Sequence, residues 1–389
     1  MDNYLVLGYL LFVYIILSYS GILMLGFPKL EKSSIKNINY ESLVSIIIPA
    51  RNEADSIKSC IESILNLDYH NTEIIVVDGG STDKTKEILQ KYKKYIKIIN
   101  EPKLPSKWIG KNWACHIGYQ HSIGDLLLFT DADTIHSTWS LSSTVNHLKK
   151  SKSDLLSLYP KILNFTFWEK FLMPPISSFI VFYTQGKKTN DDNKKKWMAN
   201  GQYILIKKET YEKIGGHKKI KERIDEDYRL AELIKKSGYK IRLLHAPDAL
   251  KTRMYSNFKD IWEGFRKNSF AGMNYSLIRL ISFSILLISI HLFPFIFFVY
   301  EIFNLFIFNQ SVNILWSISI LSFTYIWMFI FYKKIDADIE NKINNFNRQA
   351  LHAKSLGFIH PKTGKEIYFE AQRPKDFDLL IKSLKKTSI

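Results

Sequence analysis

The chain has 389 residues, 46% of them hydrophobic and 23% charged, which excludes a disordered or fibrous protein and allows a large buried core. Fifty-four Lys and Arg against 37 Asp and Glu leave a net charge of +17, which suits anionic partners such as phosphates or an anionic membrane face. Two cysteines, Cys60 and Cys115, exclude a disulfide framework and fit a reducing compartment, and no Cys/His spacing resembles a zinc site.

The first element is Tyr4 to Leu25, which carries no charge. As a helix it would span about 33 Å, enough for a bilayer core of about 30 Å. Asp2 and the lack of Lys or Arg before it argue for an uncleaved anchor over a signal peptide. Alternation follows. Val44 to Ile48 reads as a buried strand bounded by Pro49. Ile57, Cys60, Ile61, Ile64 and Leu65 repeat at helical spacing. Glu73 to Val77 predicts a second strand, running into Asp78-Gly79-Gly80. Thr82 or Asp83 can cap a helix reaching about Lys94. Ile96 to Ile99 is a third strand, a helical stretch follows Lys111, and Leu126 to Thr130 is a fourth strand. Asp154 to Leu158, Gln202 to Ile206 and Tyr239 to Leu244 are further short strands. This pattern predicts an open, largely parallel α/β sheet whose ligand sits beyond the carboxyl ends of its strands. The segments Ala50-Arg51-Asn52-Glu53, Asp78-Gly79-Gly80-Ser81 and Asp131-Ala132-Asp133 stand there, so acids gather at strand ends in an otherwise basic chain.

Phe165 to Tyr183 is apolar but interrupted by Glu169, Lys170 and Pro174-Pro175, and predicts an interfacial segment rather than a span. Phe258, Ile261, Trp262 and Phe265 fall at i, i+3, i+4 and i+7, an amphipathic helix suited either to a leaflet or to core packing. Ile281 to Tyr300 and Val312 to Tyr332 are two more candidate spans. Lys29, Lys32, Lys36, Arg279, Lys333 and Lys334 flank the three spans and, by the positive-inside rule, put residues 28–280 and the tail in the cytoplasm of a multi-pass cell-membrane protein.

Four motifs in order, Ser-Ile-Ile-Ile-Pro-Ala-Arg-Asn-Glu (45–53), Val-Val-Asp-Gly-Gly-Ser-Thr-Asp-Lys-Thr (76–85), Phe-Thr-Asp-Ala-Asp (129–133) and Glu226-Asp227, resemble a family 2 glycosyltransferase of the GT-A fold over roughly residues 43–275. The segments 104–111 (Leu-Pro-Ser-Lys-Trp-Ile-Gly-Lys), 201–206 (Gly-Gln-Tyr-Ile-Leu-Ile), 215–217 (Gly-Gly-His) and 262–268 (Trp-Glu-Gly-Phe-Arg-Lys-Asn) resemble the membrane-bound enzymes that glycosylate carotenoid or hopanoid-type lipids. The resemblance implies an α/β, Rossmann-like GT-A domain with a mostly parallel sheet, joined to one N-terminal and two C-terminal transmembrane helices. Residues 1–27 would be the anchor, 43–275 the cytoplasmic catalytic domain, 276–334 the two membrane helices and 335–389 a basic tail.

It also implies the site. Pro49, Ala50, Arg51, Glu53, Asp78, Gly80, Lys111 and Asp131 would bind a UDP-sugar or other nucleoside-diphosphate sugar, and Asp131 with Asp133 would hold a divalent cation, Mg²⁺ or Mn²⁺. The family pattern carries a second Asp where this chain has Gly79, which leaves Asp78 the sole acid of the pair. Asp227 would be the base of an inverting transfer and Glu226 would shape the acceptor side, although Asp225 is adjacent and acids in a first helical turn also serve as caps. Only Trp262-Glu-Gly-Phe-Arg266 stands where processive relatives carry Gln-x-x-Arg-Trp, so a single transfer is expected. The acceptor would be a membrane lipid reached from the bilayer, with polyprenyl phosphate as the alternative. No nucleic-acid partner is expected, since no aromatic-interleaved RNA motif is present. Residues 347–377 resemble the C-terminal end of RluD-type pseudouridine synthases without that family's catalytic motif, and RNA modification is not implied.

Overall fold

The computed structural model describes residues 42–308 and, outside that stretch, residues 8, 9, 11–13, 15, 27–33, 317–319, 321, 322, 326, 355–359 and 366–370. Ten strands build the body: β1 (Val44–Ala50), β2 (Thr72–Asp78), β3 (Lys97–Asn100), β4 (Leu126–Phe129), β5 (Thr134–His136), β6 (Leu155–Tyr159), β7 (Lys161–Ile162), β8 (Ile204–Lys207), β9 (Ile241–His245) and β10 (Leu250–Thr252). Seven form one sheet in the order β3-β2-β1-β4-β8-β6-β9. Its pairs are parallel except where β8 lies antiparallel between β4 and β6. Ala50 stands beside Asp78, and Asp78 beside Asn100, so three strands end in register. A second sheet, β5-β10-β7, went unforeseen because strands of two or three residues leave no periodic signal.

The strands read as continuous apolar runs because helices cover both faces. On one side Ile46 and Ile48 of β1 meet Ile57, Cys60, Ile61 and Ile64 of α1 (Ile57–Leu65). The helix α2 (Thr85–Lys91) follows β2. Asp83 sits just ahead of α2 and accepts from the amide and hydroxyl of Thr85. On the other side Ile47 meets Cys115 of α3 (Gly110–Gln120), as the two-residue period of a strand requires. Gly118 lets α3 lie this close, since a Cβ there would stand 2.4 Å from Ile47 Cγ2. Gly118→Ala should therefore destabilise the fold by about 1–3 kcal/mol through overpacking, although alanine is the better helix former. A urea titration showing an equal or higher midpoint would contradict this.

The remaining helices are α4 (Ser140–Lys150), α5 (Phe167–Thr184), α6 (Lys208–Lys213), α7 (Gly216–Lys219), α8 (Glu226–Lys236), α9 (Phe258–Gly272), α10 (Leu277–Leu287) and α11 (Phe293–Phe308). The expected interruption at Glu169 is instead the start of α5, which runs on through Pro174 and Pro175. Thr166 and Glu169 form a capping box: the Thr166 amide donates to Glu169 Oε2 at 2.6 Å, and the Glu169 amide donates to Thr166 Oγ1 at 3.4 Å. Arg253 Nε closes the pair at 2.9 Å from Glu169 Oε1.

Among the described residues no single helix is long and apolar enough to cross a membrane. The expected span Ile281 to Tyr300 is not one straight helix, because a π turn (Ile288–Leu292) separates α10 from α11. Residues 277–290 and 293–307 meet the length and composition of a span only as a pair bent by 44°. Pro294 lacks the N–H that would have continued the ladder there. Of the spans expected at Tyr4 to Leu25 and Val312 to Tyr332, only scattered helical residues are described, and the rest lie outside the described residues. The unit Lys333–Ile389 contains an antiparallel pair, β11 (Ser355–Ile359) and β12 (Glu366–Glu370). The other tail residues lie outside the described ones.

Candidate active site

A cleft of about 810 Å³ opens at the carboxyl ends of β1 to β4. Pro49, Ala50, Arg51, Glu53, Gly80, Lys111, Asp131 and Asp133 all line it. The three turns that leave β1, β2 and β4 thus converge, as expected from their positions after strands.

Asp131 and Asp133 sit in the turn between β4 and β5. Burial first, then repulsion from Asp131 and Glu53, pushes the Asp133 carboxyl up. Burial also raises Glu53, Ser56 opposes it by donating at 2.6 Å, and Asp131 adds repulsion. Repulsion of this kind, with Asp131 acting on both Asp133 and Glu53, is relieved by a cation, so the residues present fit a divalent ion. Among the described residues no three His, Cys, Asp or Glu side chains converge as a complete metal-binding group. The remaining ligands would therefore come from substrate oxygens and water.

Lys111 is the second residue of α3 rather than a loop residue. A cation in a first helical turn opposes the helix dipole. Two acids overcome this: Lys111 Nζ lies 2.7 Å from Asp131 Oδ1 and 2.8 Å from Glu226 Oε1. Burial alone would lower the ammonium, but these two carboxylates outweigh it and hold it well above its usual value.

Glu226 and Asp227 open α8 and are not among the residues that line the cleft; Glu226 is joined to it through Lys111. Glu226 is thus paired with Lys111. The adjacent acids now separate by role. Asp225 is held by Arg223 and Arg229, each at 2.9 Å. Asp227 has only backbone donors, Gly201 N at 2.9 Å and Tyr228 N at 2.7 Å. Burial, then Glu226, pushes its carboxyl up to about 7.

Asp78 also lies outside the cleft lining, only 1% exposed. It ends a strand inside the sheet, and its Oδ1 closes a turn by accepting from Ser81 N at 3.2 Å. Gly80 makes that turn possible with φ +76°. Asp78 Oδ2 faces Lys86 Nζ at 3.7 Å.

Sequence reasoning missed several contributors. Glu101 and Lys103 line the cleft after β3, and Lys267 reaches it from α9. Asn112, fully buried, donates from Nδ2 to the carbonyls of Ile220 at 3.0 Å and Arg223 at 2.8 Å, tying α3 to the approach to α8. Gly201 precedes β8, and a Cβ there would meet Lys111 Nζ at 3.1 Å and Asp227 Oδ2 at 3.5 Å. Gly201 and Lys267 lie in segments that carry the resemblance to lipid-glycosylating enzymes, whereas no spacing marked Glu101, Lys103 or Asn112. On α9 the apolar stripe divides: Ile261 is buried, whereas Phe258 and Trp262 are exposed beside Trp168 of α5.

The family model for glycosyl transferase family 2 matches residues 45–215. The chain is 28% identical over 249 residues to the 4,4'-diaponeurosporenoate glycosyltransferase of Staphylococcus aureus (strain USA300), covering 62% of this chain and 64% of that one. To the protein of the same name from Staphylococcus haemolyticus (strain JCSC1435) it is 26% identical over 232 residues, covering 59% and 61%. The chain thus spans less than two thirds of the length of these relatives. Among solved structures it is similar to the mannosyltransferase PcManGT from Pyrobaculum calidifontis in complex with GDP-Man and Mn²⁺, at 17% identity and TM-score 0.48, covering 86% of this chain and 84% of that one.

Proposed function

Since residues 45–215 are a glycosyl transferase family 2 domain, we propose that the chain transfers one sugar from a nucleoside-diphosphate sugar to a membrane lipid of carotenoid or hopanoid type. The observation that carries this is the cleft at the strand ends, where Arg51, Glu53, Lys111, Asp131 and Asp133 meet. Asp131 and Asp133 would hold a divalent cation, which supplies charge neutralisation at the leaving diphosphate. Lys111, at the cleft wall, would turn from the carboxylates toward the diphosphate oxygens. Asp227 would take the acceptor hydroxyl proton as the oxygen attacks the anomeric carbon. Its raised pKa suits that task near neutral pH, and its freedom from any ion pair among the described residues leaves its charge available.

The lipid half of the proposal is supported by the exposed rings of Phe167, Trp168, Phe258 and Trp262. They lie on α5 and α9, and α9 also sends Lys267 to the cleft. Similarity to diaponeurosporenoate glycosyltransferases points the same way. The residues expected at 1–27 and 276–334 to hold the chain in the cell membrane complete this reading.

The test is release of nucleoside diphosphate from a panel of UDP- and GDP-sugars with Mn²⁺ or Mg²⁺, with and without a membrane lipid extract. Metal-dependent release stimulated by lipid is expected. Release that lipid does not stimulate, or none with any donor, would sink the proposal.

A further inference from the structure

We infer that Glu101 recognises the nucleoside of the donor by accepting a hydrogen bond from it, in the space that Gly79 leaves open. The inference rests on the reading of the cleft as a nucleotide-sugar site. Glu101 follows β3 and lines the cleft. Its backbone amide donates to Asp78 O at 2.9 Å, which fixes it beside the end of β2. Gly79 is held in turn by its own amide, donating to Ala50 O at 2.8 Å. A Cβ built on Gly79 would stand 2.6 Å from Glu101 Oε2. The carboxylate therefore fills the place of the missing side chain.

That carboxylate has no hydrogen bond or ion pair among the described residues. Arg51 is near enough to oppose the cost of its burial, and Asp78 adds repulsion. A half-buried acceptor without a partner, pointed along a cleft wall, is costly to keep unless a ligand donates to it. The chemistry it selects is a donor on the nucleoside, either a ring N–H of the base or a ribose hydroxyl. The phosphates offer no such donor at neutral pH.

The experiment is calorimetric binding of UDP, GDP and their 2'-deoxy forms, with Mn²⁺, to wild type, Glu101→Gln, Glu101→Ala and Gly79→Ala. Glu101→Gln keeps the shape and decides the matter should the alanine variant fold poorly; thermal melting controls for that. Loss of a charged acceptor should weaken the preferred nucleotide by on the order of 10- to 100-fold. A penalty that vanishes with the 2'-deoxy form assigns the 2'-hydroxyl, and one that persists assigns the base or the 3'-hydroxyl. Gly79→Ala should weaken binding in the wild-type background, where it displaces the Glu101 carboxylate, and change nothing further in Glu101→Ala. Wild-type affinity, within about twofold, in folded Glu101→Ala, or in both folded variants, would overturn the inference. Absence of nucleotide binding by wild type would instead overturn the reading of the cleft.

Discussion

Replacing Asp227, the proposed base, by Asn should lower kcat by roughly 10²- to 10⁴-fold, with little change in the KM for the donor. The asparagine keeps an acceptor for Gly201 N–H but cannot take a proton. Because burial and Glu226 raise the carboxyl from 3.8 to about 7, the wild-type rate should climb as pH rises through about 7. An ordinary carboxylate would already be ionised at pH 5. Stability moves in the opposite sense. A carboxyl whose pKa is higher folded than unfolded favours the fold fully below about 4, and that contribution is lost as pH rises through about 7. The variant should therefore melt higher than wild type, by more at pH 8 than at pH 5. A helix-capping role predicts the reverse, a lower melting temperature with activity intact, and either of those results would remove Asp227 as the base.

Asp131→Asn is expected to lower kcat by about 10²- to 10³-fold and to flatten the response to Mn²⁺. This side chain touches Lys111 at 2.7 Å while lining the cleft beside Asp133. Asparagine preserves the shape and can still accept from Lys111, so Glu226 keeps its partner and the fold should hold. Only the charge is removed, and that charge is what a cation would bind. Initial rates against Mn²⁺ concentration, run beside wild type, separate the outcomes. An undiminished, metal-stimulated rate would place the cation elsewhere.

Much of this was legible in the sequence because it depends on short-range pattern. Apolar runs gave β1, β2, β4 and β9 within a residue or two, and the turns after β1, β2 and β4 met where the rule for parallel sheets puts them. Spacing says that an acid ends a strand, not whether it faces solvent or, as Asp78 does, closes a turn. Lys111 was expected just ahead of the helix rather than in it; a lysine in the first turn runs against the dipole preference, and only tertiary pairing explains it. Glu169 looked like a break because charge was weighed above its Thr-x-x-Glu context. Asn112 and Glu101 act across long sequence separations, to which local periodicity is blind.

The inverted strand β8 has a consequence for how the molecule comes into being. It fills the gap between β4 and β6, although both are synthesised before it. Until residue 207 has left the ribosome, two strand edges stand open, a state prone to mispairing. The turn that enters β8 carries Gly201, whose amide holds Asp227. Closing the sheet and holding Asp227, the proposed base, thus both wait on this late part of the chain. A partly assembled molecule has the donor-side turns of β1, β2 and β4 but no positioned Asp227, so nascent chains would acquire nucleotide affinity before they acquire turnover.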